Sequence, residues 1–240
     1  SQNWASFPYD HYLQPVGQNT TARELGIHIV NIYHTSLSGY PRTMSVLDLS
    51  RMEAVRAALD SFSAALLDLS INQKTQVIEA YTLTQKFDFN TDLTITNVDG
   101  YVDLVDFARH IQERLPGTGA AEQAGNLIGI LTQGTQPFIA YERHESGIFP
   151  QSNSYFNLDH ANGVAIYMPF GGKDDLDANY YIASSLDLAA YTRWDDFIQA
   201  YLLSYPPQDI GRANGNPGDD PILRGPFFPS LVYLPSVSSP

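Results

Sequence analysis

The chain has 240 residues, of which 43% are hydrophobic and only 16% charged, so it can bury a sizeable core and is not a disordered polymer. Its 26 acidic and 13 basic residues give a formal net charge of −13, which repels nucleic acid and anionic lipid and excludes both as expected partners. It has no cysteine, which removes disulfides, thiolate metal sites and a cysteine nucleophile within these residues.

No apolar stretch approaches the roughly 20 residues that a membrane helix needs. Ser1–Asp10 is aromatic and polar, contains no Met and has no signal-peptide pattern, so the chain is expected to begin inside a longer product. Residues 1–20 read as loop or short strand. Thr20 or Thr21 is placed to cap a helix carrying Leu25, Ile29, Ile32 and Tyr33 on one face. Gly39 and Pro41 end that pattern, and Thr43–Leu49 reads as a strand. Ser50, with Glu53 three residues on, has capping-box spacing. The helix it predicts carries Met52, Val55, Leu59, Phe62, Ala65 and Leu66 on its apolar face. A further helix runs through Val77 and Ile78, and residues 85–100 are polar and turn-like.

Tyr101–Leu115 is apolar at helical spacing, with Pro116 and Gly117 as its stop. A helix of small residues follows over 119–133. Pro137–Glu142 and Gly163–Pro169 are strand candidates; the apolar run Val164–Met168 predicts a strand covered on both faces. A last helix spans Trp194–Tyr205. Beyond Pro206 the chain is Pro- and Gly-rich and reads as extended, docked or partly disordered. Helices alternating with short strands predict an α/β fold, and no internal repeat occurs.

No self-contained active site emerges from the motifs. Gly-x-Ser-x-Gly, His-Glu-x-x-His and phosphate-binding glycine loops are all missing. The histidines at 11, 28, 34, 110, 144 and 160 are scattered, and each reads as a surface or half-buried residue. Asp88-x-Asn90-x-Asp92 with Asp99 meets part of the oxygen-ligand spacing of a calcium loop. Leu93 stands where that loop needs glycine, and its final Glu is missing. Asp175-x-Asp177-x-Asn179 shares the first three places, but Tyr180 and Leu186 break the rest. Both stretches read as solvated loops, and calcium is the one cofactor with any pattern behind it. Asp103 and Asp106 are either paired carboxylates or first-turn acids that favour the positive end of a helix dipole; the second reading is preferred. Asn19-Thr20-Thr21 is a glycosylation sequon.

Several segments, in order, match a known family. Ser1-Gln2-Asn3 is similar to a Ser-Gln-Glu stretch, and Pro8-Tyr9-Asp10 with Leu13 to a Pro-Tyr/Trp segment. Glu24-Leu25 through Ile29-Val30 and Tyr33 resembles the helix that follows. Ser45–Ser50 is close to Ser-Ala-Ile-Asp-Leu-Ser, and Tyr101–Ala108 to an Asp-Leu-x-Asp-Phe helix. Gly163–Pro169 is similar to Gly-Leu-Ser-Ile-Tyr-Phe-Pro, and Trp194–Phe197 with Tyr201 to a Trp-Asp-x-Phe close. Together they resemble the clostripain family of cysteine peptidases, in the portion after the catalytic cysteine, over about residues 1–205.

The resemblance implies a caspase-like sandwich in residues 1–170, a closing helical segment in 171–205 and an extended tail in 206–240. It also implies a cysteine endopeptidase whose His/Cys dyad lies upstream, on an N-terminal chain of the same precursor, so no catalytic residue falls on this chain. Ser1, Gln2, Asn3 and Trp4 are either the strand that pairs with a peptide or protein substrate, or merely a cut end. Family preference for Arg or Lys at the cleaved position requires a carboxylate. Asp10 is the nearest one here, and the family's Gly-Asp-Gly is replaced by Trp4-Ala5-Ser6-Phe7. Val232-Tyr233-Leu234-Pro235 is similar to the ends of exported bacterial proteins, which suggests an extracellular or cell-surface location. The competing reading is a peptidase fold without its dyad, serving as a scaffold or binding module on the cell surface.

Overall fold

The computed structural model describes residues 9–14, 16–37, 39–87, 101–149, 154–168, 187–202 and 230–233. The mixed α/β class expected from the sequence is what they form.

The first element, α1 (Tyr9–Leu13), is a helix where a loop or strand was expected. Five residues do not hold a helix by propensity, so docking must do it. Tyr12 is buried, and His28 Nε2 donates to the His11 carbonyl at 2.9 Å. In α2 (Ala22–Ser36), Thr21 is the N-cap. Thr21 Oγ1 accepts from the Glu24 backbone N–H, and Glu24 Oε2 accepts from the Thr21 N–H, so two donors of the first turn are satisfied. The buried stripe is Gly26, Val30 and His34, while Leu25, Ile29 and Tyr33 flank it half-buried.

All six residues of β1 (Arg42–Leu47) are buried. Met44 and Val46 pack on Val30 of α2, while Leu47 enters the main core. Next, Asp48 displaces the expected cap. Its carboxylate accepts from the Ser50 N–H at 3.1 Å and the Ser50 hydroxyl at 2.6 Å, closing a 3-10 turn over Leu49–Arg51. Helix α3 (Met52–Leu67) therefore starts without a side-chain cap, and Glu53 pairs with Arg56 instead. Val55, Ala58, Leu59, Phe62, Ser63 and Leu66 form its buried face, and Met52 stays exposed.

Helix α4 (Ile71–Leu83) buries Val77, Ala80 and Tyr81. Strands β2 (Lys86–Phe87) and β3 (Tyr101–Asp103) pair antiparallel. Helix α5 (Leu104–Arg114) thus begins three residues later than its apolar run suggested, because Tyr101–Asp103 are taken up in a sheet. Helix α6 (Gly119–Thr132) packs its small-residue face, Ala120 and Ala124, into the core with Leu127 and Leu131. Strand β4 (Ile139–Glu145) lies antiparallel to β1, from Arg42 opposite Glu145 to Leu47 opposite Ile139. A hairpin of β5 (Gly147–Phe149) and β6 (Ser154–Phe156) follows, which the sequence reading did not anticipate. Among the described residues, strand β7 (Ala165–Tyr167) pairs with β3 alone, with Ile166 opposite Val102. Within it Ile166 is buried while Ala165 and Tyr167 are half-buried, so it is not the doubly covered strand expected from its apolar run.

Two short helices, α7 (Asp187–Tyr191) and α8 (Trp194–Phe197), lead into a π-helical turn over Ile198–Leu202. Trp194, Phe197, Ile198 and Tyr201 join the core formed by α3, α5 and α6. Rings pack edge-on or tilted in series, Phe62 to Phe107 at 6.0 Å, Phe107 to Trp194 at 6.2 Å and Trp194 to Phe197 at 5.1 Å between centroids. Each such side chain contributes about 1.5–3 kcal/mol on burial. Last, β8 (Ser230–Tyr233) lies parallel to β1, so this part of the tail is docked. The described strands form two three-stranded sheets, β4-β1-β8 and β2-β3-β7, beside the β5-β6 hairpin. No helix among the described residues is long and apolar enough to cross a membrane.

Candidate functional site

Ser1, Gln2, Asn3 and Trp4 lie outside the described residues, as do both calcium-like stretches at 88–99 and 175–186. Asp10 sits on α1 with its side chain 80% exposed, 3.5 Å from His11 Nε2. Docking of α1 on α2 carries that carboxylate, through the buried Tyr12 and the His28–His11 contact.

A group of titratable side chains surrounds the start of α5. Asp103 is fully buried and is the N-cap of α5. Its Oδ1 accepts from the Asp106 N–H at 3.0 Å and from Asn162 Nδ2 at 3.1 Å. Its Oδ2 accepts from the Asn162 N–H at 2.6 Å. Burial pushes the carboxyl up to about 7, while these N–H donors pull the other way. Asp106 Oδ2 accepts from the Gln85 N–H at 2.8 Å. Its Oδ1 faces His110 Nε2 at 3.7 Å and His160 Nδ1 at 3.9 Å, beyond hydrogen-bond length. Arg109 reaches over to Asn162 Oδ1 at 2.7 Å.

Asp106 is a first-turn acid, as the sequence suggested, whereas Asp103 stands one step earlier as the N-cap, and the two clamp three segments together. Asp103 holds the turn before β7, and Asp106 holds the entry to β2. Every oxygen of Asp103 already accepts from N–H groups, which suits anchoring rather than attack or proton transfer. Gln85, Asn162 and His160 were missed as members of this group. Asn162 is 59 positions from Asp103, and no spacing rule links residues so far apart.

A second group surrounds β1 and β4. Arg42 is buried; it donates to the Leu37 and Tyr40 carbonyls and pairs with Glu145, its partner across the sheet. His34 Nε2 donates to the Arg143 carbonyl at 2.8 Å, which leaves its buried Nδ1 without a hydrogen bond. Burial pushes His34 down to about 4, so it is neutral at ordinary pH. His144 pairs with Glu142 at 2.9 Å. Among the described residues, no group of three His, Asp or Glu is arranged to hold a metal ion. With no cysteine in the chain, these groups position strands and helices; none of them forms a nucleophile–base pair.

Comparison with known proteins gives one match. The sequence model of the clostripain family matches residues 2–201. No curated protein and no solved structure matches.

Proposed function

The chain belongs to the clostripain family, and from that premise we propose that it is the C-terminal part of a cysteine endopeptidase, completed by a polypeptide that carries the His/Cys dyad. One observation carries the reading: the family match takes in residues 2–201, yet the 240 residues contain no cysteine. Thiol peptidase chemistry needs a thiolate to attack the scissile carbonyl and a histidine to move the proton. The thiolate must therefore come from outside these residues.

On this reading the fold is the C-terminal part of a caspase-like sandwich. The arrangement that supports it is β1, buried along its length, with α2 on one face and the main helical core on the other. Residues 1–170 belong to that sandwich, 171–205 close it and 206–240 form the tail. Ser1–Trp4 lies beside the substrate as an added strand, and Asp10, exposed on α1, is the carboxylate nearest to it in sequence. Substrates are peptides or proteins. The location is outside the cell or at the surface of a bacterium.

The test is native purification of this chain with intact-mass analysis and N-terminal sequencing of whatever accompanies it. A companion with His and Cys, ending just before Ser1, together with peptidase activity, supports the proposal. A chain that runs alone, stable and inert, sinks it and favours a scaffold that has lost its dyad.

A further inference from the structure

We propose that Asn162-Gly163 is a self-modification site, closed in the folded chain by Asp103, and that its reaction makes the opening of the α5 clamp irreversible. The site is independent of the peptidase reading.

The fold demands both residues. Gly163 has a φ of 99°, a Cβ there would lie 2.9 Å from Ser45 Cβ, and its carbonyl accepts from Ser45 Oγ. Position 162 must offer donors on one side and an acceptor on the other. Asn162 N–H donates to Asp103 Oδ2 at 2.6 Å. Nδ2 donates to Asp103 Oδ1 at 3.1 Å and to the His160 carbonyl at 2.6 Å. Oδ1 accepts from Arg109 at 2.7 Å. A carboxylate and a carbonyl only accept, and a guanidinium only donates. The orientation of the amide is thus fixed by its partners, and asparagine serves all three.

Asparagine followed by glycine is also a pair open to attack from within, because no Cβ shields the glycine nitrogen. Gly163 N bonds to Asn162 Cγ, the Cγ–Nδ2 bond breaks, and ammonia leaves with the proton of the Gly163 N–H. Water then adds to one of the two carbonyls of the five-membered imide and breaks one C–N bond, giving aspartate or isoaspartate. Closure of so small a ring has a high effective molarity. Arg109 already draws charge from the Asn162 amide carbonyl, so the fold withholds approach rather than reactivity. Nδ2 is tied to Asp103 and to the carbonyl two residues earlier, whereas the attacking nitrogen belongs to the residue that follows. Swinging Cγ toward that nitrogen breaks the contacts to Asp103.

Either product carries a carboxylate where Asp103 needs donors. Acceptor then faces acceptor, beside the buried Asp106. Isoaspartate also adds one atom to the backbone just before Gly163, where Ser45 and Glu142 lie close. A chain that has reacted cannot close the clamp again.

Peptide mapping by mass spectrometry at pH 8 follows the amide-to-acid conversion of Asn162. It compares the chain in concentrated urea with the folded chain unmodified, with Asp103→Ser and with Trp194→Phe. Serine keeps an N-cap for α5 but is too short to hold Asn162, and Trp194→Phe loosens the fold elsewhere. In urea Asn162 is expected to convert, as is Asn214 of Asn214-Gly215, the other such pair in the sequence, outside the described residues. In the unmodified folded chain Asn162 is expected to react slower by about tenfold or more, since only locally opened molecules react. Asp103→Ser is expected to remove most of that protection, and Trp194→Phe to leave it in place. Asn162→Asp reproduces one product and is expected to melt below the unmodified chain.

Equal conversion of Asn162 in the folded chain and in urea overturns the proposal. So does an Asp103→Ser chain that reacts no faster than Trp194→Phe. If Asp103→Ser does not fold, the comparison with urea and the melting of Asn162→Asp still decide. An Asn162→Asp chain as stable as the unmodified one removes the irreversible step.

Discussion

Ser45 Oγ donates to the Gly163 carbonyl at 2.6 Å, and this contact ties β1 to the turn that feeds β7. Gly163 has a φ of 99°, and a Cβ placed there would lie 2.9 Å from Ser45 Cβ and 3.0 Å from Glu142 Cβ. Both the positive φ and the close approach call for glycine. Gly163→Ala is expected to destabilise the chain by about 2 kcal/mol or more. Urea denaturation followed by circular dichroism measures it, and an unchanged midpoint would show that the turn can relax.

Trp194 joins α8 to the core and to the β2-β3-β7 sheet. Its ring is fully buried, and Nε1 donates to the Tyr167 carbonyl at 2.8 Å. Trp194→Ala is expected to cost about 3–5 kcal/mol. Trp194→Phe keeps most of the apolar ring but strands that carbonyl, at about 1–3 kcal/mol. A negligible loss in Trp194→Phe would mean that the hydrogen bond is worth nothing.

Asp103 should give stability a specific pH dependence. Burial raises its carboxyl from an ordinary value near 3.8 to about 7. The folded chain therefore binds this proton more tightly than the unfolded chain. The resulting stability is complete below about pH 4 and is lost as pH rises through about 7. Asp103→Asn cannot titrate, and its amide opposes the Asn162 N–H, so it is expected to be less stable by about 1–3 kcal/mol. The gap between wild type and variant should narrow from pH 5 to pH 8 in paired urea melts. A constant gap would mean that the N–H donors, not burial, set this carboxyl.

His34 acts with the opposite sign. Burial, with Arg143 and Arg42 nearby, lowers it from 6.5 to about 4, against the pull of the Arg143 carbonyl and Glu145. Its contribution to stability is complete above about pH 6.5 and is lost as pH falls toward 4. His34→Gln keeps a donor for the Arg143 carbonyl and has no charge to gain. Its thermal midpoint is expected to fall less than that of wild type between pH 7 and pH 4.5. Parallel acid limbs would count against a buried neutral imidazole.

A thiol-directed reagent provides the functional check. Iodoacetamide is expected to add no carbamidomethyl-cysteine to this chain, since it has no cysteine. If the chain is completed as proposed, the reagent should nevertheless abolish peptidase activity in the natively isolated preparation, with the added mass on a cysteine-bearing companion. Activity that survives complete alkylation would exclude cysteine catalysis.

Local signals in the sequence were read correctly where local physics decides. Thr21 with Glu24 is a capping box in sequence and in structure. Val55, Leu59, Phe62 and Leu66 recur at helical spacing and face the core together. Ser50 failed as a cap because Asp48, two residues earlier, captures its N–H, a competition that spacing alone does not rank. The β5–β6 hairpin went unseen because Gly147-Ile148-Phe149 and Ser154-Tyr155-Phe156 are too short to show a period.

By itself the sequence determined the α/β class, most helices, the family and the absence of cysteine, because periodicity, caps and composition are properties of neighbouring residues. Only the tertiary structure decided that Asp103 clamps Asn162, that Gly163 lies against Ser45, that β7 pairs with β3, and that Ser230–Tyr233 runs beside β1. Those pairings join residues tens to hundreds of positions apart. Their energy comes from burial and from satisfied backbone groups, and no short stretch of sequence records either.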